Sequence, residues 1–475
     1  MSFPRYPRYV ASGVAWLGDI PAHWRVLPLK AVATCNDDVL PESTAEGTLI
    51  EYLEISGVEA GRGITQTETL TFGSAPSRAR RVVHHGDVLI STVRTYLRAI
   101  ATVANPPENL IASTGFAAIR PKAVQPGFLG HLLHCEYLIS AVIARSVGIS
   151  YPAINASDLM CLKGPFPPFE EQGAIAAFLD RETAKIDTLV EEQRRLIDLL
   201  KEKRQAVISR AVTKGLNPNV PTRDSGVEWL GLIPKHWDSG TLTRVADRVV
   251  VGIAEAATHA YADEGVAILR STNIRAGKIV GEILYVTPEF AEGRATKLIN
   301  AGDLVTVRTG NAGVTVVVPE SLDGCQCFTM LITSLSKLGL SAFYCYALNS
   351  LPSQRYFSLE GWGTAQVNIS VPILKALPVA IPPLTEQHAI VKYLDGATAK
   401  LDELVAEAES AMRLLGERRT ALISAAVTGK IDVRDSTDLL TAWAETKADI
   451  AAGRFVSESA KAHVARVRAM AKRDD

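Results

Sequence analysis

Trp16-Leu17-Gly18-Asp19-Ile20-Pro21-Ala22-His23-Trp24 returns as Trp229-Leu230-Gly231-Leu232-Ile233-Pro234-Lys235-His236-Trp237, a shift of 213 (229 − 16). A second matched block follows each box. Glu171-Gln172, Ile175, Leu179-Asp180, Thr183-Ala184-Lys185, Asp187 and Leu189-Val190, on to Ala211-Val212-Thr213, form its first copy. Glu386-Gln387, Ile390, Leu394-Asp395, Thr398-Ala399-Lys400, Asp402 and Leu404-Val405, on to Ala426-Val427-Thr428, form the second, shifted by 215 (386 − 171). The stretches between the blocks, residues 25–150 and 238–365, diverge strongly. A frame repeated around unlike inserts implies one shared task for the frame. The inserts then do something similar in kind and different in detail.

Composition sets the bounds. A chain of 475 residues is too long for one core, and the duplication makes two halves of about 200 residues the natural division. Hydrophobic content of 47% and charged content of 21% describe an ordinary soluble globular protein. A net charge of −1 neither demands nor forbids a polyanionic partner, and it speaks against a strongly basic nucleic-acid binder. The N-terminus, Met1 to Arg8, has no apolar signal core, and no apolar run reaches the ~18 residues of a membrane span. Cys35, Cys135, Cys161, Cys325, Cys327 and Cys345 lack zinc or redox spacing. The expectation is a cytoplasmic protein with reduced cysteines and no membrane partner.

The inserts read as β-rich. Leu49–Ile55, Asp87–Val93, Val266–Arg270 and Asp303–Val307 are strand candidates bounded by Gly and Pro. One helix is expected near 127–146 and one near 339–357. Pro165, Pro167 and Pro168, then Pro378, Pro382 and Pro383, stop regular structure. A long helix follows each proline cluster. In the first, Leu179, Ile186, Gln193, Leu200 and Val207 recur every seven residues, with Leu189 and Leu196 as companions. In the second, Leu394, Leu401, Ala408, Leu415 and Leu422 recur, with Ile390, Leu404 and Ala411. This is a coiled-coil seam. Each helix has an obvious partner in the other, although an ordinary core helix of one domain is the plainer alternative. Two tryptophans and a proline in each box suit a structural role, pinning the chain to the domain core. Gly215, Pro218 and Pro221 make a linker, and residues 442–452 and 457–472 look helical and amphipathic. The division expected is 1–168, 169–214, 215–383, 384–430 and 431–475.

Candidate chemistry is weak. Asn105-Pro106-Pro107-Glu108 lacks the aromatic residue that an amino-methyltransferase loop would stack on its base. Glu445-Thr446-Lys447 has nuclease-like spacing without a carboxylate partner, and no phosphate-binding loop is present. His131, His134 and Cys135 share a helical face, but a metal there would lack a fourth ligand. The inserts offer binding groups instead. Arg78, Arg80, Arg81, Arg94 and Arg98 cluster in the first; the matching stretch of the second holds Arg294, Lys297 and Arg308, near Arg270, Arg275 and Lys278. Arginine on a β-framework suits phosphate contact or bidentate reading of guanine, against the alternative of a solvated basic face. The loops Gly148–Asn155 and Gly361–Asn368 add Tyr151, Asn155, Gln366 and Asn368. Asn and Gln can pair bidentately with adenine; capping the next element is the rival role for the two asparagines.

Glu171-Gln172, Leu179-Asp180, Thr183–Asp187, Leu199–Arg204 and Ala211–Gly215 resemble the central conserved region of type I restriction–modification specificity subunits. Leu414–Arg419 and Ala426–Lys430 resemble its distal copy, and the Trp boxes are similar to those that introduce target recognition domains. The resemblance covers residues 12–434. It implies an α+β fold: two β-rich target recognition domains separated by two long antiparallel coiled-coil helices, with an internal pseudo-two-fold repeat. It implies a non-catalytic subunit that reads a split double-stranded DNA target; on the reading of the inserts above, Arg78, Arg80, Arg81, Arg94, Arg98, Tyr151, Asn155, Arg270, Arg275, Lys278, Arg308, Gln366 and Asn368 are the candidates to contact it. Leu179, Ile186, Leu200, Val207, Leu394, Leu401, Leu415 and Leu422 would pair the helices. Two modification subunits would carry S-adenosylmethionine, and restriction subunits would carry ATP and Mg; this chain would hold no cofactor. The competing classes are a stand-alone methyltransferase and a structural coiled-coil adaptor.

Overall fold

The computed structural model describes residues 3–148, 151–254, 258–363 and 366–434. The helices expected at 442–452 and 457–472, and the Glu445-Thr446-Lys447 motif, lie outside the described residues. The chain forms two compact units: Met1–Glu192 with Ala411–Asp475, and Gln193–Ser410. The division falls inside each long helix. Each unit therefore holds one insert, the opening half of the helix that follows it and the closing half of the other.

In the first unit the insert is two four-stranded sheets. One runs Ile100–Thr102, Val88–Ser91, Phe116–Pro121, Ala33–Cys35, all antiparallel. The other runs Glu68–Thr71, Leu49–Leu53, Leu110–Ser113, Ala79–Val82, with Leu110–Ser113 parallel to Leu49–Leu53. The second unit repeats the antiparallel sheet although the sequences diverge, while its other sheet carries the parallel pair at an edge rather than at the centre. Ala246–Val251, Leu331–Leu335, Leu304–Thr306 and Thr315–Val317 form the antiparallel sheet. Tyr261–Ala262, Leu284–Val286, Val266–Leu269 and Gln326–Cys327 form the other, again with one parallel pair. Alternation fixes these strands: Val88 and Ile90 face one core cluster and Leu89 the other.

The frame closes each insert at its base. Arg25–Pro28 after the first Trp box pairs with Lys163–Phe166, and Asp238–Thr241 after the second pairs with Pro378–Ile381. The start and end of each insert are thus zipped together. The helices expected at 127–146 and 339–357 are each two helices: Pro126–Leu133 with Glu136–Arg145, and Ser341–Leu348 with Leu351–Glu360. Pro352 in the first turn of the last of these makes the break there. In the first pair the break is at Cys135, whose backbone is extended.

The long helices run Phe169–Lys214 and Leu384–Val427, 46 and 44 residues. In the first unit, Glu171 and Gly429, two residues past the second helix, both lie against Trp24, while Asp187 further along pairs with Arg419. The two segments are therefore antiparallel. The same order holds in the second unit, where Glu386 and Gly215 lie against Trp237 and Asp402 pairs with Arg204. Leu179, Ile186, Leu200, Leu394 and Leu401 are buried, and Val207, Leu415 and Leu422 are half-buried. Full burial of one such leucine is worth ~1.5–3 kcal/mol.

Of the companion positions, Ile390 is buried and Ala411 half-buried, but the leucines differ from the expectation. Leu189, Leu196 and Leu404 are 44%, 42% and 46% exposed. The positions that complete the seam are Thr183, Val190, Ile197, Arg204 and Ala211, matched by Thr398, Val405, Met412, Arg419 and Ala426. At 3.6 residues per turn, the residue three on lies about 60° to one side and the residue four on about 40° to the other. The partner segment covers the latter flank. Among the described residues no single helix is long and apolar enough to cross a membrane.

Candidate nucleic-acid interface

The repeated boxes explain each other. In the first unit the Glu171 carboxylate accepts hydrogen bonds from the Tyr6 hydroxyl at 2.6 Å and the Trp24 indole at 3.0 Å, and His23 Nε2 lies 2.8 Å away. In the second, Glu386 accepts from Trp237 at 3.0 Å and meets His236 at 2.6 Å. The neighbouring glutamines act alike. Gln172 accepts from Gln125 N and donates to Pro167 O; Gln387 accepts from Leu340 N and donates to Pro382 O. Leu17, Ile20 and Trp24 share a buried cluster with Ile175, Leu179, Ile423 and Val427. Trp237 does the same with Ile208, Val212, Ile390 and Leu394. These blocks hold the frame, as a structural role for the boxes predicts.

Each frame presents one end of its double sheet. In the first unit that end carries Glu54 after Leu49–Leu53, Arg78 before Ala79–Val82, and Thr92–Arg98 after Val88–Ser91. The Thr114-Gly115 turn lies there too, with Thr92 N donating to Gly115 O and Thr114 N to Arg78 O. The loop ending at Asn155 is stitched on by Arg94 N donating to Pro152 O at 2.8 Å and by a bridge between Val93 and Ala153. So Arg78, Arg94, Arg98, Tyr151 and Asn155 gather at one edge. Arg94 lies over the Tyr151 ring, 4.8 Å from its centroid, and both are exposed. Arg94 and Arg98 have φ of 51° and 54°. A left-handed backbone costs a non-glycine residue ~1–2 kcal/mol, and such strain concentrates at functional edges.

The arginines are not equally free. Arg98 forms a bidentate pair with Glu136 at 2.8 Å, and Arg78 is held by Glu54 at 2.6 Å and by the Tyr52 hydroxyl at 3.2 Å. Arg80 and Arg81 lie on the strand body: Arg80 sits over Phe72 at 4.7 Å, and Arg81 Nε is buried without a hydrogen-bond partner. Asn155 precedes the helix Ala156–Met160, yet its side chain makes no capping bond; its amide reaches Asp158 at 3.5 Å.

The second unit presents the equivalent end. Arg270 follows Val266–Leu269, Arg308 follows Leu304–Thr306, and Ile369 N donates to Arg308 O at 3.0 Å. The Thr309 hydroxyl donates to the Asn368 side chain, and Gln366 is exposed beside it. Asn368 does not cap the next helix; Ser370 does, accepting from Ile373 N. Arg270 donates to Glu282 O, while Nε of Arg270 and of Arg308 are buried and unpartnered. Arg275 and Lys278 belong to a hairpin turned toward the long helix. Arg275 donates to Thr272 O and Ile274 O, and Lys278 Nζ is 3.3 Å from Asp402.

A supporting network was not read from sequence. Asp87, buried, takes both arms of Arg120 at 2.9 Å, and its counterpart Asp303 takes Arg248 at 3.2 Å. The Arg120 guanidinium, followed by His84, holds the Asp38 carboxyl below the usual carboxylate range. Asp87 and Asp303 open two of the expected strands; their basic partners come from strands whose pairing the sequence does not show.

His131, His134 and Cys135, which share a helical face in the sequence, take other partners. His131 meets Asp180 at 2.7 Å, His134 Nδ1 lies 2.8 Å from Gly130 O, and Cys135 Sγ lies 3.6 Å from Ser424 Oγ. Among the described residues no group of three candidate ligands converges. Burial pushes the Cys325 and Cys345 thiols up to about 12.

Residues 45–197 and 259–409 match the family described as the type I restriction modification DNA specificity domain. A Methanocaldococcus jannaschii chain described as the MjaX specificity subunit of a type I restriction enzyme is 22% identical over 88% of this chain and 96% of its own length. The StySPI specificity subunit of Salmonella potsdam is 23% identical over 92% and 94%. A chain from a solved structure on complex assembly and conformational transition of the type I R-M system superposes with a TM-score of 0.69, at 22% identity, over 86% of this chain and 98% of that one.

Proposed function

This chain belongs to the type I restriction modification DNA specificity family, whose domain it carries twice, and we propose that it is the DNA-reading subunit of such a complex. Each insert reads one half of a bipartite double-stranded target. The observation that carries this is the pair of matched edges: one frame, one order of strands in the antiparallel sheet, and unlike polar residues at the same end of each. Arg94 with Tyr151 contacts DNA in the first reader; Arg308 with Gln366 and Asn368 does so in the second. Arginine forks suit phosphate or guanine, and the amides suit adenine. Arg78 and Arg98, held by Glu54 and Glu136, position the edge or exchange those partners for phosphate.

The chain holds no cofactor and performs no chemistry in this reading. Two modification subunits supply S-adenosylmethionine-dependent adenine methylation, and restriction subunits supply ATP- and Mg-dependent steps. Leu189 and Leu404, equivalent leucines exposed on the two long helices, are the positions proposed for docking of modification subunits. Partners that share the phosphate contacts fit the net charge of −1. The test is binding by the purified chain with and without modification subunits. The reading expects sequence-selective duplex binding in the complex and no S-adenosylmethionine binding by the chain alone. Cofactor binding by the chain alone, or a complex indifferent to sequence, contradicts it.

A further inference from the structure

Each reader carries a short hairpin: Val58–Glu59 with Gly63–Ile64 in the first unit, Ile274–Arg275 with Lys278–Ile279 in the second. Gly61 and Gly277 turn them at φ 80° and 72°. Both tips end on the same feature of the frame, a cross-helix ion pair. In the first unit Arg419 Nε donates to Asp187 Oδ1 at 3.1 Å, and the same guanidinium donates to Gly61 O at 3.3 Å. Arg62, next to Gly61, lies 3.8 Å from Glu191. In the second unit Arg204 Nε donates to Asp402 Oδ1 at 3.1 Å, and Lys278 Nζ takes the other oxygen of Asp402 at 3.3 Å. Arg204 and Arg419, like Asp187 and Asp402, are the same positions of the repeat, 215 apart (419 − 204, 402 − 187).

A polar residue in a helix seam costs stability and specifies register. Each cross-helix pair here also joins a third element, far away in sequence, that belongs to the reading domain. The two hairpins reach the pair through different atoms, a carbonyl on the arginine in one unit and an ammonium on the aspartate in the other. The outcome is the same: reader, opening helix and closing helix are fastened at one point.

We propose that Asp187–Arg419 and Arg204–Asp402 are orientation locks, positioning residues that fix the angle of each reader on its helix pair. Resting on the DNA-reading role above, they thereby determine how strictly the spacing between the half-sites is enforced. They touch no base in this scheme. Their substitution leaves both half-site sequences unchanged and loosens the spacer between them.

The first test needs no DNA. Hydrogen exchange is followed in the full chain complexed with modification subunits. Asp402→Ala should speed amide exchange about tenfold over 274–279 and leave 58–64 unchanged, while Arg419→Gln does the reverse. Lys278→Ala, at a side chain 66% exposed, keeps the cross-helix pair and should still free 274–279. The exchanged pair Arg204→Asp with Asp402→Arg restores a cross-helix ion pair but sets a cation against Lys278. It should recover protection of the helices and not of the hairpin. Unchanged hairpin exchange in Asp402→Ala and Lys278→Ala overturns the lock, whatever the chain reads. The second test maps methylated adenines: both variants should methylate sites with spacers one base pair longer or shorter, with half-sites intact. A spacer as strict as wild type, beside loosened hairpins, refutes the link to spacing while leaving the reading role in place.

Discussion

Removing the Glu171 carboxylate should cost the first unit more than removing Glu386 costs the second. Glu171 has a side chain 7% exposed and three partners, whereas Glu386 is 39% exposed and has two. The histidines hardly count, because His23 and His236 are 42% and 45% exposed and water can replace the carboxylate. Glu171→Ala strands two buried donors, the Tyr6 hydroxyl and the Trp24 indole, whose residues are 4% and 5% exposed. Each stranded donor costs ~1–3 kcal/mol, and the two together, after partial relaxation, cost about 3–5 kcal/mol. Glu386→Ala strands only the Trp237 indole, whose residue is 1% exposed, at about 1–2 kcal/mol. Glu171→Gln keeps an acceptor and should recover part of the loss. The assay is urea unfolding of the intact chain followed by tryptophan fluorescence. Equal midpoint shifts for the two alanine variants, or a loss below about 1 kcal/mol for Glu171→Ala, would refute the claim that this carboxylate ties the repeated blocks together.

Three further outcomes are expected. Burial pushes the His134 imidazole down from 6.5 to about 4, so between those values the unfolded chain binds the proton and the folded chain does not. Stability should fall as pH drops through that window, by about 3 kcal/mol in all, and His134→Gln should flatten the fall; a stability profile identical in the two proteins contradicts this. Arg94→Ala and Arg308→Ala should each weaken duplex binding by the complex, lowering the salt slope by about one if the contact is to phosphate or costing ~1–3 kcal/mol on the cognate site if it is to a base; unchanged affinity and slope would remove both residues from the interface. A fragment of residues 1–215 should pair with itself, because Arg204, Ile208, Ala211 and Val212 repeat Arg419, Ile423, Ala426 and Val427, which complete the first unit. With modification subunits that C₂ dimer should methylate a palindrome of the first half-site; an asymmetric target or an inactive monomer counts against it, and Gln193 facing itself in the seam is the weak point.

The frame was legible because it is written twice. Repetition marked the Trp boxes and the Glu-Gln starts of the helices, and proline-free length marked the helices themselves. What repetition could not give was the reason. Glu171 lies 147 residues from Trp24, so the indole–carboxylate bond shows only once both blocks are folded, although each copy pairs a His-Trp with a Glu-Gln. The sevenfold spacing found Leu179, Ile186 and Leu200 but left the companion flank ambiguous. The more apolar choice, Leu189 and Leu196, was the exposed one, while the seam took Thr183 and Arg204. Pro352 was a readable sign that the second expected helix is two; the break at Cys135 carries no proline and was not readable. At the reading edge, charge alone placed Arg94 and Arg78 in one group. It could not tell the arginine over Tyr151 from the one held by Glu54, because that depends on which strands end side by side.

The most direct test of the central claim is a map of methylated adenines in cells that make this chain with its partner subunits. It is repeated after residues 26–150 are exchanged for the corresponding insert of a relative. The account predicts a bipartite target in which the exchange changes one half, keeps the other half and keeps the spacer. An undivided target, or an exchange that alters both halves at once, would contradict it.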